Sequence, residues 1–123
     1  MRHLIHHHLR KHTISFKHAF DGIVWAWKSQ PNYRVHTIIA ISVVLAGLFF
    51  RIELIEWVML TFVIAVGLVI ETINTALEAT ADAITREWRA EIKIAKDASS
   101  AAMLTYAIGA SIIAGMIFIP KIF

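Results

Sequence analysis

Three apolar runs set the pattern of this chain, and each is close to the length that a membrane-crossing helix needs. They lie within residues 35–50, 54–84 and 97–119, and the last is uncharged from residue 98 to residue 119. The hydrocarbon core of a bilayer is about 30 Å thick and asks for roughly 20 helical residues, so the first run is somewhat short. The pattern predicts an all-α integral membrane protein with three transmembrane helices.

A different periodicity precedes the first run. In residues 13–29, apolar side chains recur on one helix face and charged residues lie elsewhere on the wheel, which predicts an amphipathic helix in the membrane interface. Thr13 is the expected N-cap, and Pro31 marks the turn into the first span. A surface anchor with no part in chemistry is an equally open interpretation of this helix. Residues 1–12 are interpreted as a basic tail, and we assign no function to its histidines 6–8.

Composition and charge narrow the class of protein. Of the 123 residues, 58% are hydrophobic and 17% are charged, which is too apolar for an ordinary soluble domain of this size. The net charge is +3, but the basic residues flank predicted spans without a recognised nucleic-acid motif, so we expect no nucleic-acid partner. Anionic lipid head groups suit these residues better. The chain has no cysteine, which excludes disulfides and thiolate metal sites.

The distribution of Lys and Arg predicts an orientation in the membrane. These residues cluster before the first span and between the second and third spans, whereas the loop around Arg51 and the C-terminal tip are poor in them. The positive-inside rule then predicts that the N-terminus and the second loop are cytoplasmic. We interpret residues 1–123 as one membrane domain whose second span has its acidic end at the cytoplasmic side.

An acidic helix face follows the apolar part of the second span. Glu71, Asn74, Glu78 and Asp82 stand at i, i+3, i+7 and i+11, a spacing that repeats one side of a helix. A carboxylate at hydrocarbon depth costs about 3 kcal/mol on insertion scales, so several in register predict a polar site between helices. The alternative is that these acids pair with Lys or Arg of neighbouring helices and only specify packing.

Carboxylates on one helix are able to divide the tasks of phosphoryl transfer, which needs a cation on the phosphates and a proton acceptor for the attacking hydroxyl. Glu78 suits Mg²⁺, which prefers oxygen ligands, and Glu71 suits a base that meets a lipid hydroxyl at the interface. Asn74 is expected to hydrogen-bond Glu71 or a phosphate oxygen. Lys96 is expected to bind phosphate and Asp97 to cap the third span. The sequence has no Walker A or kinase Gly-rich loop, so charged side chains have to form any nucleotide site.

Two sequence motifs resemble those of a known protein family. ETINTALEATAD at residues 71–82 is close to the pattern E-x-x-N-[ST]-A-x-E-x-x-x-D, and KIAKDASSAA at residues 93–102 contains A-K-D-x-x-[SA]-[AG]-A. The chain thereby resembles the small prokaryotic membrane lipid kinases, the family of diacylglycerol kinase and undecaprenol kinase. Weaker similarity extends through FKHAFDGI at residues 16–23 and NYRVH at residues 32–36. It covers nearly all of the chain beyond the basic tail.

The resemblance implies a homotrimeric helical bundle in the bacterial inner (plasma) membrane, which uses Mg²⁺ and ATP to phosphorylate a membrane lipid alcohol at the cytoplasmic face. In this family pattern Glu71 matches the catalytic base and Asn74 its positioning partner. Glu78 matches the magnesium-binding glutamate, while Lys96 and Asp97 match a pair that contacts the nucleotide.

Two further stretches carry weaker implications from the family. Glu87, Trp88 and Arg89 fall where the family approaches ATP, in a loop that varies. Gln30 stands where the family usually has a second metal-binding glutamate. An amide oxygen is able to bind Mg²⁺ but adds no negative charge, so a weakened or inactive kinase stays open.

The expected lipid substrate depends on shorter stretches of similarity. YRVH at residues 33–36, EW at residues 56–57 and IPK at residues 119–121 look more similar to undecaprenol kinases of Gram-positive type than to the diacylglycerol enzyme. We therefore expect undecaprenol as the acceptor, with diacylglycerol as the alternative. An ion-coupled transporter and a non-catalytic membrane subunit are the interpretations from other functional classes, because intramembrane carboxylates also serve ion pathways.

Overall fold

Four helices make up the part of the chain that the structure describes. The computed structural model describes residues 2–123, with side chains from residue 15 onwards. The helices are α1 (Arg2–Ser29), α2 (Pro31–Phe50), α3 (Leu54–Ile84) and α4 (Ala90–Ile122). The last three are long and apolar enough to cross a membrane, which confirms the predicted all-α fold with three spans. The protein is a multi-pass membrane protein.

The bounds of α3 agree with the prediction, but α2 and α4 are longer than predicted. α2 begins at Pro31 rather than at residue 35, because proline suits the first helical position and leaves Gln30 in extended backbone. α4 begins at Ala90 rather than at residue 97, since the intervening residues are mostly good helix formers. Asp97 therefore lies inside α4, and the expectation that it caps this helix is wrong.

α1 also begins earlier than the periodicity predicted. It is helical from Arg2 rather than from residue 13, because no glycine or proline interrupts residues 2–12. The side chains of Thr13 and of histidines 6–8 lie outside the described residues. Phe16 and Phe20 expose most of their surface, as an interfacial helix requires, and Ala26 is buried where α1 packs on α2 and α3.

A tight turn joins α2 to α3. Arg51 has a φ of 51°, in the left-handed region, and its N–H donates to the carbonyl of Leu48 at 3.3 Å. The next N–H, that of Ile52, donates to the carbonyl of Gly47 at 3.1 Å. These two bonds satisfy carbonyls at the end of α2. α3 then begins with a capping box, in which Glu56 accepts a hydrogen bond from its N-cap residue.

α3 and α4 form an antiparallel pair that is held along its length. At one end Lys121 Nζ lies 2.9 Å from Glu56 Oε2. In the middle the Tyr106 hydroxyl donates to the carbonyl of Val63 at 2.9 Å. Tyr106 packs so closely on Gly67 that a Cβ added there would lie 2.2 Å from the tyrosine oxygen. The absence of a side chain on Gly67 thus permits this crossing, one turn before Glu71.

Candidate active site

The acidic face of α3 runs from the bundle interior to its surface. Glu71 exposes only 2% of its surface, and Asn74 and Thr75 are also buried. Glu78 is half-buried, and Asp82 is exposed. One helix face therefore presents carboxylates at three depths, and the deepest has the driest surroundings.

A hydrogen-bond chain links α4 to this face. Ser99 Oγ donates to Asn74 Oδ1 at 2.6 Å, and Asn74 Nδ2 donates to Glu78 Oε1 at 3.3 Å. The sequence predicts a hydrogen bond from Asn74 to Glu71 or to a phosphate oxygen. Its described side-chain bonds go to Glu78 and Ser99, because Glu78 lies one turn further along the same face.

Lys96 also lies against the acidic face. Its Nζ is 2.6 Å from Asp82 Oδ1, and both side chains are partly exposed. An exposed pair of this kind contributes at most about 1 kcal/mol, so an incoming phosphate is able to compete for the ammonium group. Asp97 pairs instead with Lys93 on the same helix, where both side chains are exposed. The structure therefore brings Lys96, but not Asp97, to a carboxylate of α3, that of Asp82.

α2 contributes a residue that sequence reasoning did not assign to the site. His36 Nε2 lies 3.9 Å from Glu71 Oε2, which is within ion-pair range but beyond a hydrogen bond. His36 is an ionisable side chain inside a membrane span, and that alone marks a functional candidate. Ser99 was likewise not assigned, because no pattern along one helix reveals which side chain of another helix meets it.

The remaining predicted site residues lie away from these contacts. Glu87, Trp88 and Arg89 are exposed in the α3–α4 connection, and Trp88 is 79% exposed. Among the described contacts, Gln30 forms backbone hydrogen bonds and is not joined to Glu78. Within the part of the chain that is described, no three His, Asp or Glu side chains form a ready-made metal cluster.

Two apolar cavities adjoin the turn of α3 that precedes Glu71. One, of about 190 Å³, lies between α2, α3 and α4 and is lined by His36, Gly67 and Tyr106 among others. The other, of about 590 Å³, lies between α1 and α3 beside Tyr33. Leu68 lines both cavities. Apolar space thus flanks a buried carboxylate, an arrangement that suits a lipid hydroxyl with its tail in the membrane.

Comparison with known proteins shows which family this chain resembles. The family model described as prokaryotic diacylglycerol kinase matches residues 17–118. An undecaprenol kinase of Bacillus subtilis is 33% identical over 114 residues, which cover 93% of each chain. A diacylglycerol kinase of Synechocystis is 32% identical over 110 residues, and one of Helicobacter pylori is 30% identical over 84 residues.

The aligned lengths differ between these relatives. The match covers 89% of this chain but 63% of the Synechocystis protein, and 68% of this chain but 66% of the Helicobacter protein. The family match nevertheless spans α2, α3 and most of α4, including the acidic face and its hydrogen-bonded neighbours. The chain belongs to the prokaryotic diacylglycerol kinase family.

Proposed function

We propose that this protein is an ATP-dependent lipid kinase that transfers the γ-phosphate of ATP to a membrane lipid alcohol. The observation that carries the proposal is the graded acidic face of α3. Buried Glu71 lies close to the apolar cavities, while Glu78 and Asp82 extend towards the surface, where Lys96 contacts Asp82. A lipid hydroxyl and a nucleotide phosphate require these two different environments at a short distance from each other.

Glu71 is the proposed catalytic base: it accepts the proton of the lipid hydroxyl as the hydroxyl oxygen attacks the γ-phosphorus and the bond from that phosphorus to the departing ADP oxygen breaks. Its neighbours Leu68 and Thr72 line the apolar cavities, so an alcohol that enters them would come close to Glu71 without the nucleotide entering the hydrocarbon. His36, at 3.9 Å, is close enough to stabilise the ionised carboxylate when the imidazole is protonated.

The ligands on this face suit Mg²⁺. This ion takes oxygen ligands and commonly uses one or two carboxylates together with substrate phosphates. Glu78 would supply one carboxylate oxygen, because its other oxygen accepts a hydrogen bond from the Asn74 amide. Asp82, one turn further along the same face, is a second carboxylate within the site. Mg²⁺, when bound, would neutralise charge on the transferred phosphoryl group. The role of Gln30 as a further ligand stays a prediction.

The nucleotide is proposed to enter from the side of the α3–α4 connection. Lys96 would exchange its contact with Asp82 for a phosphate oxygen, which costs little because the pair is exposed. The exposed residues of the connection, Glu87, Trp88 and Arg89, are available to contact the base and sugar of the nucleotide. Asp97 is proposed to contact the nucleotide after release from Lys93.

The proposed assembly is a homotrimer in the bacterial inner (plasma) membrane with a cytoplasmic N-terminus. The support is that the three spans bury few of their apolar side chains within one chain: Phe49, Phe62 and Met116 each expose more than two thirds of their surface. Such surfaces pack against lipid or against other copies. The orientation rests on the distribution of basic residues.

Undecaprenol is the proposed acceptor, and diacylglycerol is the alternative. In support, the Bacillus undecaprenol kinase aligns over 93% of both chains, whereas this chain spans less than two thirds of the Synechocystis diacylglycerol kinase. The YRVH, EW and IPK stretches favour the same choice.

The test is a competition assay on the purified protein in liposomes that contain undecaprenol and diacylglycerol, with ATP labelled at the γ-phosphate. Label is expected in undecaprenyl phosphate in the presence of Mg²⁺. Glu71→Gln is expected to abolish transfer and to leave the oligomer's size unchanged. Glu53→Gln, at the N-cap of α3 and far along the helix from the acidic face, should retain transfer. Labelled phosphatidic acid alone would replace the proposed acceptor. Absence of label in both lipids, or ion flux without ATP use, would refute the kinase.

A further inference from the structure

The Ser99 hydroxyl differs from the other helical hydroxyls in its hydrogen-bond acceptor. The other helical Ser and Thr side chains with a described hydrogen bond donate to a carbonyl four residues earlier in their own helix. Ser99 instead donates across the helix interface to Asn74 Oδ1, at 2.6 Å. A hydroxyl has one proton to donate, so Ser99 cannot at the same time donate to the carbonyl four residues earlier in α4.

The chemistry of the three groups fixes the direction of this chain. An ionised Glu78 only accepts hydrogen bonds, so the NH₂ group of Asn74 has to face it. The amide oxygen then faces α4, where it needs a donor, and Ser99 supplies one. The opposite orientation of the amide would set its oxygen against the carboxylate oxygen of Glu78. Glu78 therefore selects the orientation of the Asn74 amide, and Ser99 holds the amide there by donating to its oxygen.

We propose that Ser99 is a positioning residue for the site: it fixes the Asn74 amide, which holds one oxygen of Glu78 and leaves the other free for a divalent cation. This inference rests on the proposed function, because the cation is proposed to bind there. In this proposal Ser99 acts through Asn74 and not on the substrate. It acts from α4 on two residues of α3, and it thereby couples the register of the two helices to the geometry of the acidic face.

The test compares Ser99→Ala with Ser99→Thr, which keeps the hydroxyl, and with Ser42→Ala as a matched control. The Ser42 hydroxyl bonds its own helix at Ile38, outside the site. The affinity of each variant for Mn²⁺ alone is measured by electron paramagnetic resonance on the protein in nanodiscs. Loss of a hydrogen bond typically changes an equilibrium by about 1 kcal/mol, so Ser99→Ala is expected to weaken Mn²⁺ binding roughly fivefold. Ser99→Thr and Ser42→Ala are expected to bind as the wild type does.

Kinetics separate positioning from a general loss of structure. In Ser99→Ala we expect the KM for MgATP to rise by a similar factor, roughly fivefold, while kcat changes less than about twofold, because Glu71 is untouched. Alanine is the best helix former, so the variant keeps α4. In an Asn74→Ala background, Ser99→Ala is expected to cause no further loss, because Ser99 acts through Asn74.

Wild-type Mn²⁺ affinity in Ser99→Ala would overturn the inference, as would a full additional loss in the Asn74→Ala background. A drop in kcat alone, without a change in KM or in Mn²⁺ affinity, would also overturn it. These outcomes are distinct from failure of the proposed function. If the wild-type protein phosphorylates no lipid, the kinase is refuted, while the Mn²⁺ affinities still decide whether Ser99 organises the acidic face.

Discussion

The contact of Tyr106 with Gly67 predicts that a single methyl group damages the α3–α4 pair. A Cβ on residue 67 would lie 2.2 Å from the tyrosine oxygen, 2.4 Å from Cζ and 2.7 Å from Cε1. All three distances are far below van der Waals contact, so Gly67→Ala forces the ring to move. Movement of the ring also breaks the hydrogen bond to the carbonyl of Val63.

The expected size of the effect follows from three contributions. Alanine in place of glycine inside a helix favours the folded state by about 1 kcal/mol. Loss of the tyrosine hydrogen bond costs about 1 kcal/mol, and overpacking a tight interface costs about 1–3 kcal/mol. Gly67→Ala should therefore destabilise the protein by roughly 1–3 kcal/mol, although the same substitution stabilises an ordinary helix.

The measurement is a double-mutant cycle in detergent–lipid micelles, with unfolding by SDS followed by circular dichroism. Tyr106→Ala removes the ring, so Gly67→Ala in that background should be neutral or stabilising by up to about 1 kcal/mol. The change of sign between the two backgrounds is the diagnostic result. Equal stability of Gly67→Ala and the wild type, or equal losses in both backgrounds, would refute the proposed packing.

Two further predictions concern the ends of α2. Gln30→Glu is expected to lower the Mg²⁺ concentration needed for half-maximal phosphorylation, because it adds a charged ligand, and an unchanged or higher requirement would remove Gln30 from the metal site. Arg51→Gly should raise the free energy of unfolding by up to about 1 kcal/mol, because φ at this position is left-handed. Arg51→Ala keeps the Cβ and should bring no such gain, so an equal gain from alanine would assign the effect to the lost charge.

The spacing of polar residues along α3 was enough to find the candidate site. Glu71, Asn74 and Glu78 share a helix face in the structure as the sequence predicted, and the bounds of α3 were predicted correctly. Hydropathy marks the part of a helix that lies in hydrocarbon, however, and not where the helix ends. The starts of α2 and α4 were therefore predicted too late, and Asp97 was wrongly placed at a helix end.

The sequence alone does not predict which side chains of other helices contact the site residues. Ser99 and Asn74 are 25 positions apart, and Lys96 and Asp82 are 14 apart, so these contacts depend on the register of α4 against α3. No periodicity within one helix contains that register. For the same reason His36, which reaches Glu71 from α2, was not assigned to the site.

The polar contacts between the helices hold α4 and α2 to α3 to different extents. α4 is fastened to α3 at both ends and in the middle, through Lys121, Tyr106, Ser99 and Lys96. Among the described residues, the only polar contact of α2 with that pair is the long one from His36 to Glu71. Sliding of α2 against this pair therefore breaks only that long contact, whereas sliding of α4 breaks all of the shorter ones, so α2 is the less firmly bonded of the two helices.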